Sequence, residues 1–181
     1  MKTSLFELFS GEEVFEQIDN QAFKKQWLDL HEQCEYATIF QHPSYIITWY
    51  KTYRRVCHPI LITSKNEGNQ LKGLWFLNFD KATQKIEHAG TNQAEYQVWI
   101  TTKGHESEFI SGSWDLLISR LDFKELHLKY LPENYLLDYL RTGTSTRGKF
   151  VSRSYERPFF CLNEKTIQDM FSANTRRRVS K

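Results

Sequence analysis

Residues Ile60–His88, ILITSKNEGNQLKGLWFLNFDKATQKIEH, decide the fold. Ile60 to Thr63, Leu71 to Phe79 and Gln84 to His88 are apolar or β-prone. They are separated by turn-rich sequence such as Lys65-Asn66-Glu67-Gly68-Asn69. Short β-prone runs bounded by Gly, Asn and Asp predict three successive strands joined as an antiparallel meander.

The sequence on either side changes period. Upstream, Asp19 and Asn20 offer a cap, and Phe23, Trp27 and Leu30 share one helical face, which predicts a helix reaching about His31. Phe40 to Pro43 make a turn. Ser44 is then expected to cap a second helix that carries Tyr45, Ile46, Trp49, Tyr50 and Tyr53 to about Arg55. Near the start, Ser10 to Glu13 can be read as a capping box opening a helix, while Val14 to Ile18 equally makes a short strand; the strand is favoured.

Downstream, Glu95 to Thr101 alternates Tyr96, Val98 and Ile100 with Gln97, Trp99 and Thr101, predicting a fourth strand. Ile110, Trp114, Leu117 and Leu121 form a helical stripe despite Gly112, whose place in a helix costs about 1 kcal/mol relative to alanine. Leu126, Leu128 and Tyr130 predict a strand, followed by a helix from Pro132 to Gly143. Further strand sequence lies at Phe150–Tyr155 and Phe159–Leu162, and Asn163 caps a last helix with Ile167, Met170 and Phe171. A helical pair, a meander and then alternating helix and strand predict a three-layer α/β domain with a mixed central sheet. The expected organisation is a lead over residues 1–13, a domain over 14–171, and residues 172–181 opening a further helix. The buried partner of that helix would lie beyond Lys181.

Composition narrows the function classes. The 40% hydrophobic and 15% aromatic content belongs to a packed globule and not to a disordered chain. Cys34, Cys57 and Cys161 lack a Cys-x-x-Cys pair, so neither a disulfide framework nor a zinc site is suggested. No apolar run reaches the roughly 18 residues of a spanning helix, and the acidic start does not read as a signal peptide; a cytoplasmic location is expected. Arg176, Arg177, Arg178 and Lys181 lie in the last six residues. Without them 20 basic residues face 22 acidic ones, so the body has no cationic stripe and no nucleic-acid partner is expected.

Searches for chemistry return little. His31-Glu32 begins like a zincin motif, but position 35 is Glu and not the second His. His42, His58, His88, His105 and His127 have no ligand spacing, so no metal is expected. Gly143 to Gly148 lacks the spacing of a nucleophile elbow, and neither a P-loop nor a dinucleotide turn occurs.

Four segments together carry a family likeness: Trp27-Leu28-Asp29-Leu30; Ile39-Phe40-Gln41-His42-Pro43-Ser44-Tyr45 with Trp49 and Tyr50; Leu71-Lys72-Gly73-Leu74-Trp75-Phe76-Leu77; and His88-Ala89-Gly90 leading to Glu95-Tyr96. In this order they resemble the N-terminal portion of the CelD/BcsL-like acyltransferases, a branch of the GNAT (acyl-CoA N-acyltransferase) superfamily distantly similar to FemAB-type transferases. The resemblance implies a GNAT-like α/β domain truncated before a second, acyl-CoA-binding domain. It also implies transfer of an acyl group from acetyl-CoA or another acyl-CoA to an amine or hydroxyl, and it points toward cell-envelope or exopolysaccharide synthesis.

This sequence departs from the family in having Glu95-Tyr96 where Asp-Tyr is usual, and in lacking the Gln/Arg-x-x-Gly-x-Gly/Ala loop that grips the CoA pyrophosphate. No cofactor is therefore expected on this segment alone, which should be inactive by itself. Its expected partners are the missing C-terminal domain and a small-molecule or glycan acceptor. The resemblance offers Gln93, Glu95 and Tyr96 as acceptor-cleft residues; His42, Tyr45 and Trp49 could form an aromatic wall. Arg176, Arg177 and Arg178 could meet the other domain or an anion. A scaffold or binding domain with the same fold is the alternative.

Overall fold

The computed structural model describes residues 4–131. In chain order these form β1 (Leu5–Ser10), α1 (Glu12–Asp19), α2 (Gln21–Gln33), α3 (Pro43–Thr52), β2 (Pro59–Lys65), β3 (Leu71–Asp80), β4 (Lys85–His88), β5 (Ile100–Thr101), α4 (Glu106–Arg120) and β6 (Glu125–His127). The strands line up as β1-β2-β3-β4-β6, with β5 also on β3. Every pairing is antiparallel except β4 with β6, where Ile86 lies beside Leu126 in a parallel register reached through α4. The α/β class and mixed sheet expected from the sequence are present.

Helices cover both faces of the sheet. On one face Phe76 of β3 meets Trp27 of α2, ring centroids 4.3 Å apart, and Tyr50 of α3. Trp27 is fully buried and donates its indole N–H to the Gln41 carbonyl at 2.9 Å, so its polar atom does not oppose its burial. Tyr50 likewise donates its hydroxyl to the Leu77 carbonyl at 2.7 Å. On the other face α4 lies so close that a Cβ at Gly112 would meet the Phe6 ring at 2.5 Å, which accounts for glycine inside this helix. β2 is buried through nearly its whole length, as a strand covered on both faces must be.

Three local readings are corrected. Val14–Ile18 is helical, within α1: Glu12 and Glu13 favour a helix N-terminus, and Val14, Phe15 and Ile18 bury one helical face. Only half of the capping box forms, the Ser10 N–H donating to Glu13 at 3.3 Å while the Ser10 hydroxyl turns to His58. Helix α3 is capped by His42, whose Nδ1 accepts from the Ser44 N–H, with Pro43 in the first turn where its missing N–H costs nothing. The lead over residues 1–13 contains β1, paired with β2 from Leu5 to Ser10, so the sheet begins before residue 14. The helix after Pro132, the strands and helix beyond Phe150, and the domain end at residue 171 lie outside the described residues. Among the described residues no helix is long and apolar enough to cross a membrane.

Candidate functional site

The fourth strand predicted at Glu95–Thr101 is reduced to Ile100–Thr101. β4 pairs with Leu77–Asp80 and β5 with Gly73–Leu74, so the two occupy the same flank of β3. Between them, opposite Trp75 and Phe76, residues 89–99 leave the ladder. This excursion begins at the carboxyl end of β4, beside the parallel strand β6. In open α/β sheets that is where ligand sites concentrate, and ladder interruptions also recur next to active sites.

Its shape is held by side-chain amides. Gln97 Nε2 donates to the carbonyls of Thr91 and Ala94, while Gln97 Oε1 accepts from the Lys129 N–H at 2.9 Å. The Gln97 N–H in turn donates to the Lys129 carbonyl at 3.1 Å. Gln97 therefore ties the excursion to the segment leaving β6. Gln41 Nε2 donates to the Tyr96 carbonyl at 2.6 Å. His88 is fully buried, its two ring nitrogens facing the carbonyls of Ala89 and Val98. Burial pushes its pKa down to about 4, outweighing the carbonyls, which pull it upward. Gly90 (φ 97°), Thr91 (φ 43°) and Tyr96 (φ 54°) are left-handed. For β-branched Thr91 and bulky Tyr96 that is strained backbone of the kind concentrated at functional sites.

The structure brings several sequence candidates together. Gln93 Oε1 accepts from the Trp49 indole at 3.0 Å, and its Nε2 donates to the Tyr53 hydroxyl at 2.6 Å. The Tyr45 hydroxyl lies against Gly90, where an added Cβ would sit 2.8 Å from it; it is buried without a hydrogen-bond partner among the described residues. Glu95 is exposed and Tyr96 half-buried on the same excursion. His42 is separate in role: it caps α3, and its ring stands edge-on to His31 at 5.1 Å. Burial and the neighbouring His31 lower its pKa, in keeping with the unprotonated Nδ1 that the cap requires. Trp49 is only 8% exposed, so its ring belongs to the core and not to an open wall. Arg176, Arg177 and Arg178 lie outside the described residues.

The N-terminus of α4 follows the interrupted strand and is the place in such a crossover where a phosphate is commonly held. Here the first turn carries Glu106 and Glu108, and His105 is tied to Ser64 at 2.9 Å and to Glu108 at 3.2 Å. Two carboxylates at that turn oppose an anion. Among the described residues no group of three His, Cys, Asp or Glu is placed to hold a metal.

No family model and no curated protein matches the sequence. Among solved structures it is similar to the catalytic domain of Tetrahymena GCN5 histone acetyltransferase in complex with coenzyme A. The identity is 14%, over 79% of this chain and 77% of that one, with a TM-score of 0.45.

Sequence reasoning missed the fasteners Gln97 and His88. Their partners are backbone carbonyls and amides, which leave no trace in residue type. Gln93 was a candidate, but its contact with Trp49 spans 44 residues of sequence and no local pattern announces it.

Proposed function

We propose that this chain supplies the acceptor side of an acyl-CoA-dependent acyltransferase of the GNAT class, CelD/BcsL-like in its motifs. It would work with a C-terminal domain that holds the acyl-CoA. The observation carrying this reading is the strained, amide-fastened excursion 89–99. It interrupts the sheet at the carboxyl end of β4 and gathers Gln93, Glu95 and Tyr96. The acidic first turn of α4 supports assigning the CoA phosphates to another domain. The chemistry would be attack of an acceptor amine or hydroxyl on the thioester carbonyl, with release of CoA thiol, and the acceptor would be a small molecule or glycan of cell-envelope assembly.

The test is titration calorimetry of acetyl-CoA against residues 1–181 and against the chain extended by its downstream sequence. Heat is expected only with the extended protein. CoA release by that protein should depend on an acceptor, and Gln93→Ala should raise the acceptor KM while leaving acetyl-CoA affinity unchanged. Tight acetyl-CoA binding to residues 1–181, or none to the extended protein, overturns the reading.

The second reading is a non-catalytic binding domain. It is favoured by one observation: Gln97 fastens the excursion to the chain leaving β6, so the protein's own backbone fills the place between the ends of two parallel strands. An extended protein that binds no acyl-CoA yet retains a polymer or protein ligand would decide for it.

A further inference from the structure

The register that seats β1 on β2 also determines which of its backbone groups are left over. The Gly11 N–H donates to the Pro59 carbonyl at 2.9 Å, one step beyond the paired Ser10 and Ile60. Bonded residues alternate along an antiparallel ladder. Leu5, Glu7 and Phe9 therefore direct their N–H and C=O groups to β2, while Phe6, Leu8 and Ser10 turn theirs to the outer edge. The far side of β2 agrees in phase, the Phe79 N–H donating to the His58 carbonyl at 2.9 Å. Ser10 closes its own N–H on Glu13. The backbone groups of Phe6 and Leu8 have no partner among the described residues, and β1 ends the sheet.

The side chains along this edge read nearly alike in both directions. Leu5-Phe6-Glu7-Leu8-Phe9 has a carboxylate at its centre and apolar residues on either side. Laid antiparallel on a second copy about an axis at Glu7, Leu5 falls opposite Phe9 of the partner copy, and Phe6 falls opposite Leu8. In that register Phe6 and Leu8 exchange both of their backbone bonds, because theirs are the groups that face outward. Twofold contacts require such a self-complementary patch. Leu5 is 59% exposed, and Phe6, Leu8 and Phe9 are partly buried, so the pairing covers apolar surface that one chain leaves in water. Edge strands commonly carry a charge that keeps copies apart, and Glu7 is that charge. Here Lys65 of the same chain lies 2.7 Å from it, so the two carboxylates that meet at the axis bring two ammonium groups with them and the patch is neutral.

We propose that β1 is a self-association edge, joining two copies of this chain through Leu5 to Phe9 into one continuous sheet. A contact one strand wide covers less than the roughly 1,200 Å² at which stable interfaces begin. The dimer therefore forms only in concentrated protein, with a Kd of about 0.1–1 mM. It stands whether or not the chain takes part in acyl transfer.

Sedimentation equilibrium of the 181-residue chain, from about 10 µM to about 2 mM, should show the mass rising from 21.6 kDa toward twice that value. Hydrogen exchange read by NMR should follow the alternation. In dilute protein the Phe6 and Leu8 amides exchange freely while Glu7 and Phe9 are protected; in concentrated protein all four are protected. Glu7→Gln removes the like-charge opposition at the axis and should tighten association about twofold to fivefold. Glu7→Lys should abolish self-association, yet that variant should associate with the wild type, and circular dichroism should show both variants folded. Three results would overturn the proposal: a single 21.6 kDa species across the whole range, association unchanged by both Glu7 variants, or Phe6 and Leu8 amides already protected in dilute protein, which would mean that the chain itself covers this edge.

Discussion

His88 makes the stability of this fold depend on pH in a direction and size that can be worked out. In the folded protein its imidazole is fully buried at the root of the excursion and holds a pKa of about 4, against an ordinary value of 6.5. Above pH 6.5 the ring is neutral in both folded and unfolded chains and pH has no effect through it. As pH falls below 6.5 the unfolded chain takes up a proton that the native ring refuses, so acid favours unfolding. The loss continues until pH passes the native value near 4. At about 1.4 kcal/mol per unit, the full interval amounts to about 3 kcal/mol, and about 2 kcal/mol of it is gone by pH 5. Urea unfolding at pH 7.5 and pH 5.0, for the wild type and for His88→Gln, isolates the contribution. Glutamine keeps a donor for one carbonyl and cannot titrate, so its packing cost is the same at both pH values and cancels. The wild type should lose about 2 kcal/mol more than the variant between these conditions. Equal losses would refute the reasoning, as would an imidazole resonance in the folded protein that titrates near pH 6.5.

Two further outcomes test how the site and the α4 face are built. Gln97→Leu keeps the volume but strips the donors and acceptor that serve Thr91, Ala94 and Lys129. It should cost about 1–3 kcal/mol and speed hydrogen exchange at Lys129 and through residues 90–98, with β2 and β3 unaffected; uniform acceleration across the sheet would argue against a local fastener. Gly112→Ala sets about 1 kcal/mol of helix propensity against a Cβ 2.5 Å from the Phe6 ring. The clash should win by about 1 kcal/mol, and adding Phe6→Leu should recover the loss in a double-mutant cycle by chemical denaturation.

The meander was legible because its signals are local: turn residues at Lys65–Asn69 and apolar runs of strand length between them. Helix α2 was legible for the same reason, with Asn20 accepting from the Ala22 and Phe23 amides as its position suggested. Val14–Ile18 was misread because five residues of mixed apolar type fit either period. What decides for helix is Gly11 at φ 62° turning the chain after β1, together with the burial of Val14 and Ile18. The alternation from Tyr96 to Ile100 pointed to a strand with one buried face, yet Gln97, Val98, Trp99 and Ile100 are all buried. A polar Gln with both ends satisfied sits inside as readily as an apolar residue, and no pattern of hydrophobicity can register that.

Side chains hold the excursion where neighbouring backbone would hold a strand. Leaving the ladder opposite Trp75 and Phe76 takes away the partners a strand would have provided, and buried amides and carbonyls without partners cost about 1–3 kcal/mol each. Ala89 keeps its bond to the Phe76 carbonyl, and side chains take over from there. Gln41 serves Tyr96, Gln97 serves Thr91 and Ala94, and the neutral His88 ring, with a single N–H, serves one of the two carbonyls that it faces, Ala89 or Val98. These fasteners come from the turn before α3, from the end of β4 and from the excursion itself, so its geometry is tied to both the sheet and the helix layer. Against this stands the strain of Thr91 and Tyr96, about 1–3 kcal/mol each. A plain strand running from β4 into β5 would avoid that strain and need no buried glutamine. A detour of this cost, held from three directions and carrying Gln93, Glu95 and Tyr96 at the end of β4, is the feature of the molecule that packing alone does not explain.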